Sequence, residues 1–104
     1  MRQTMSALPD VREVESRIGR FIGVLNSSLE RATEPEDCWF YQERISDAVR
    51  WIGLAHKGWA PLTLKRRILQ GERDEGWTDL NGPAGDAAGQ AFADLLRFIR
   101  SWSI

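Results

Sequence analysis

Apolar residues recur along this chain at steps of three and four, and no segment alternates with period two, so the pattern predicts helices and no strands. The clearest run is Val11, Val14, Ile18, Phe21, Ile22, Leu25 and Leu29, which at about 100° per residue share one narrow arc. Arg12, Glu13, Ser16, Arg20 and Ser27 fall on the opposite, solvated face. Asp10 followed by Glu13 resembles a capping box, and Leu8 is placed to staple onto Val14, so the helix is expected to begin near Val11 after a tail of residues 1–9. Gly19 and Gly23 lower helix propensity. Either they are tolerated beside Phe21, or they let another backbone approach closely.

Thr33 with Glu36 reads as a second capping box, with Pro35 in the first turn of a helix that runs to about Lys57 and is closed by Gly58. Its main stripe is Cys38, Tyr41, Ile45, Ala48, Val49, Ile52 and Ala55. Phe40, Trp51 and Leu54 lie more than about 100° from Ile45, so this helix carries two apolar faces. After Trp59-Ala60-Pro61, residues Leu62 to Gln70 form a short helix with Leu64, Ile68 and Leu69 inward and Lys65, Arg66 and Arg67 outward, ended by Gly71. Residues 72–85, rich in Gly, Asp, Asn and Pro, are expected as an acidic loop pinned by Trp77 and Leu80. A last helix follows, with a broad face of Ala88, Ala91, Phe92, Leu95, Leu96, Phe98, Ile99 and Trp102. The expected fold is an all-α bundle of three long helices and one short one in a single domain of 104 residues.

Composition narrows the functional classes. Lys and Arg total 14 against 15 Asp and Glu, so there is no overall positive field to gather nucleic acid or anionic lipid. A single Cys excludes an internal disulfide, and a single His excludes a multi-histidine metal site. Cys38 and His56 sit on one predicted helix, roughly 27 Å apart, too far to act as nucleophile and base. Cys38 reads as a buried structural residue and His56 as a C-terminal capping or surface residue. Carboxylates fall mainly in caps and solvated loop, and Asn81-Gly82-Pro83-Ala84-Gly85 fits neither phosphate-binding fingerprint. No catalytic residue, cofactor or metal site is assigned, and a non-enzymatic protein is expected. The first nine residues lack a signal-peptide apolar run and no segment is apolar enough to span a membrane, so a cytoplasmic protein is expected.

Five tryptophans in so short a chain are the main anomaly. Trp is enriched at interface hot spots, but it also fills small cores. Core filling is the expectation for Trp59 and Trp102. Trp51, aligned with Phe40 and Leu54 off the main stripe, is the candidate anchor for a protein partner. Trp39, Phe40, Arg44, Asp47, Trp51 and Leu54 make up that expected partner surface. The first helix spaces Val14, Ile18, Phe21, Ile22 and Leu25 like a coiled-coil seam, which predicts self-association into a homodimer.

The alternative is a small helix-turn-helix. Thr63-Leu64-Lys65-Arg66-Arg67-Ile68 followed by Gly71-Glu72 resembles the recognition helix of excisionase-like DNA-binding proteins, which would put Lys65, Arg66 and Arg67 on nucleic acid with Lys57 and Arg73 flanking.

In size and helical layout, and in the aromatic segment Cys38-Trp39-Phe40-Tyr41 through Trp51 and Trp59, the chain resembles the small quorum-sensing antiactivators, QslA-like, that bind LuxR-type receptors. That resemblance implies a regulator that blocks its partner's dimerisation or DNA binding, with a LuxR-type transcription regulator as partner.

Overall fold

A computed structural model describes residues 9–57 and 59–102. It is all-helical, with no strand among the described residues: α1 is Val11–Arg31, α2 Pro35–His56, α3 Pro61–Gln70 and α4 Gly82–Arg100. The proposed staple from Leu8 and the closing Gly58 lie outside the described residues.

The helix starts differ in chemistry. Asp10 caps α1 as expected, its carboxylate accepting a bond of 2.9 Å from the Arg12 amide, one of the donors a helix start leaves orphaned. Glu13 instead pairs with Arg17 one turn on. Thr33 does not cap α2. The flanking residue is Glu34, without a side-chain bond, and Pro35 supplies the first helical position, where its missing N–H costs nothing.

α1 packs on both α2 and α4, while α3 bridges α2 and α4. Val14, Ile18, Phe21 and Leu25 are therefore buried inside the chain's own core and are not free for self-association as the seam suggested; only Ile22 of that set is half-exposed. It is α4, together with α2, that covers the seam.

The buried face of α2 is rotated by about 65° from the expected stripe, about two-thirds of one residue step. Asp37, Phe40, Tyr41, Ala48, Trp51 and Ala55 face the core, whereas Ile45 and Ile52 are half-buried and Val49 is 56% exposed. The reason is aromatic area. Trp51 stacks on Phe21 at 6.2 Å between centroids, and Phe40 meets Trp77 edge-on at 4.9 Å, contacts that hide far more surface than Val49 and Ile45 could. Trp59 and Trp102 behave as core filler: Trp102 is buried and packs edge-to-face on Trp59 at 5.8 Å.

Residues 72–85 are more ordered than a loop. Two short 3₁₀ turns, Gly71–Arg73 and Glu75–Asp79, carry Trp77 inward, where it stacks on Phe92 at 4.5 Å and donates its indole N–H to the Gly71 carbonyl at 3.2 Å. α4 then starts at Gly82 rather than after Gly85. Gly82 has φ of +70°, which favours glycine, and a Cβ on Gly85 would lie 2.9 Å from the Leu80 carbonyl carbon, so this turn closes only with glycine there.

Polar groups lock the start of α4 to both α2 and α1. Buried Asp37 accepts bonds from the Asn81 backbone N–H and Nδ2 at 3.2 and 3.0 Å, and the Ser28 hydroxyl donates to the Ala84 carbonyl at 2.8 Å. Tyr41, wholly buried beside them, has its hydroxyl pKa raised above the usual tyrosine value, first by burial and then by the Asp37 charge. The unfolded chain therefore loses this proton before the folded one does. Stability is full below about pH 10 and falls as pH rises past it. Tyr41 is the only tyrosine, so tyrosinate absorbance follows this one group. Denaturant midpoints measured from neutral to strongly alkaline pH are expected to drop with tyrosinate formation, and Tyr41→Phe is expected to flatten that drop.

Candidate partner-binding groove

The first turns of α2 and the second 3₁₀ turn face each other across a groove of about 910 Å³. Phe40 lines it, and the wall opposite carries Asp74, Gly76, Asp79 and Asn81. Gly76 is required there, since a Cβ would lie 2.5 Å from the Phe40 ring. Asp74 holds the turn by accepting from the Gly76 amide at 2.9 Å. At the mouth stands Trp39, 62% exposed, the most exposed large hydrophobic among the described residues.

Arg44 spans the groove from α2 to the 3₁₀ segment. It pairs with Asp74, reaches Asp47 at 3.2 Å through Nε, and lies over the Phe40 ring at 5.1 Å from the centroid. Its charge is thereby neutralised within the chain. Glu34, Glu36 and Asp79 are exposed, line the same groove and make no ion pair among the described residues, so the rim is acidic.

The expected partner surface is thus split. Trp39, Phe40 and Arg44 come together at the groove, but Phe40 and Trp51, each 7% exposed, belong to the core and do not form an exposed anchor. Trp51, Asp47 and half-buried Leu54 line an adjoining hollow with Arg50, Arg67 and Arg73, divided from the groove by the Arg44–Asp74 pair that lines both. The burial follows from the stacking of Trp51 on Phe21, which a helical wheel of α2 alone does not contain. The acidic rim was missed because Glu34, Glu36 and Asp79 read locally as cap and loop residues. The usable signal was Trp77, whose burial folds that loop back against α2.

The basic cluster on α3 is also divided. Arg66 and Arg67 are exposed, but Lys65 is half-buried and donates to the Trp102 carbonyl at 3.0 Å, so the three do not present one basic face. Among the described residues no group of three His, Cys, Asp or Glu is arranged to hold a metal ion, and no helix is long and apolar enough to cross a membrane. His56 is exposed and bonds Glu15 at 3.1 Å, and Cys38 is half-buried with its thiol 3.9 Å from the Ala32 carbonyl. No protein-family model matches the chain, and no curated protein or solved structure matches it significantly.

Proposed function

We propose that this protein is a non-enzymatic interaction module that captures a protein partner in the groove beside Trp39 and inhibits it. Trp39 carries the reading. A tryptophan that its own fold leaves uncovered, next to an apolar floor and an acidic rim, suits a partner segment that pairs an apolar side chain with Lys or Arg. DNA-binding surfaces of transcription regulators supply clustered Lys and Arg of that kind. An antiactivator acting in the cytoplasm, occluding such a regulator's dimerisation or DNA binding, is the function this chemistry supports best.

The test is a tagged pull-down from a nuclease-treated lysate, at low salt and at about 0.5 M salt, where exposed ion pairs are largely screened. A protein is expected to survive both conditions, and Trp39→Ala is expected to weaken it by about 2 kcal/mol or more, about thirty-fold in Kd. Because Trp39 touches solvent more than core, the melting temperature should not move. Recovery of DNA before nuclease and of nothing after it would transfer the function to α3.

A further inference from the structure

The geometry points to a second copy of this chain seated on the outer face of the α1–α2 hairpin, with α1 against α1 and α2 against α2, each pair antiparallel. This face lies away from α3 and α4. Its centre is apolar: Ile22, Ile45 and Ile52 are half-buried and Val49 is 56% exposed, surrounded by exposed Asn26, Gln42, Ser46 and Gly53. Beside this apolar centre the charged side chains are turned elsewhere, while Arg12, Glu30 and the Glu15–His56 pair lie toward its ends. Arg17 lies over Phe98 of α4, Arg20 lines the same side, and Arg44, Asp47 and Arg50 line the hollow beside Trp51.

Gly19 and Gly23 lie on this face, and a Cβ at either would meet nothing within 4 Å. The monomer's packing does not require them, although each lowers helix stability relative to alanine. Close approach of another helix is what glycine would serve.

The occupant follows from the face's own symmetry. The contacts of Glu15 with His56 and of Cys38 with the Ala32 carbonyl fix the hairpin register, which places Val49 level with Phe21 and Ile22. A two-fold axis across the helices at that level sets Val49 near its copy and Gly19 opposite Gly23 of the second chain. It also sets Arg12 opposite Glu30. These two residues are five helical turns apart, about 27 Å, and so share one azimuth on α1. Both are exposed, and neither makes an ion pair among the described residues. One face thus carries both halves of a complementary charge pattern. The groove beside Trp39 opens on another side of α2, so this dimer stands independently of the proposed partner.

Sedimentation equilibrium from about 1 to 100 µM reads the outcome, since a dimer is concentration-dependent. The wild type is expected to dimerise. Val49→Glu and Arg12→Glu are each expected to raise the dimer Kd about tenfold or more, and Arg12→Glu with Glu30→Arg to restore it. The pair Gly19→Ala and Gly23→Ala should weaken the dimer while raising the melting temperature of the dilute monomer, a combination that a structural role alone would not give. A monomer at every concentration would overturn the proposal and leave the face to a different protein. A dimer indifferent to Val49→Glu and to the charge swap would overturn it equally.

Discussion

Replacing Trp51 with alanine is expected to lower folding stability by about 3–5 kcal/mol, the range for emptying a buried aromatic site. Trp51 is 7% exposed and stacks on Phe21, which in turn packs on Phe92 of α4 at 5.6 Å and on Trp77 at 6.1 Å. Removing the indole therefore opens a cavity where three helices and a 3₁₀ turn meet. Those neighbours are held by other rings and can relax only partly, so the cavity cost adds to the lost burial. Urea denaturation followed by helical circular dichroism measures it. An unchanged midpoint would show that Trp51 does not hold α1 to α2.

The second large effect is expected at Trp77. Trp77→Ala removes the ring stacked on Phe92, the edge contact with Phe40 and the indole bond to the Gly71 carbonyl. About 3 kcal/mol is expected, with a local component as well. The 3₁₀ segment has few other apolar anchors, so amide hydrogen exchange should rise across residues 71–80 more than in α1. The groove would suffer with it, because Asp74, Gly76 and Asp79 form one wall. Partner affinity should fall in Trp77→Ala for want of a wall and in Trp39→Ala for want of an anchor. Only the first should also lower the melting temperature.

Helix positions were legible because they depend on local chemistry. Asp10 at the start of α1, Pro35 at the first helical position of α2, and Gly71 at the end of α3 mark boundaries through backbone donors, acceptors and allowed dihedrals within a few residues, and α3 begins at Pro61, one residue before the expected Leu62. The start of α4 was misplaced by four residues. Gly82, Pro83 and Gly85 look like a loop until Asp37, distant in sequence, holds Asn81 and the buried face of Gly85 presses on Leu80.

The candidate site was legible only in part. Trp39 and Arg44 both belong to the expected partner surface, Trp39 as an aromatic residue off the core stripe and Arg44 as a charged residue beside it. Phe40 and Trp51 satisfied the same criterion and are core, because the criterion assumed that the stripe through Ile45 and Val49 faces inward. Ring stacking between α2, α1 and the 3₁₀ turn rotates the helix and reverses that assignment.

By itself the sequence determined an all-helical chain, the amphipathic arc of α1 and most helix ends, since periodicity, capping and proline or glycine placement act over a few residues. The tertiary structure alone decided which apolar face of α2 is buried, that α4 occupies the seam on α1, and that an acidic rim forms around Trp39. Those outcomes depend on which large side chains meet across helices far apart in sequence, and the aromatic contacts with the most area to hide prevail.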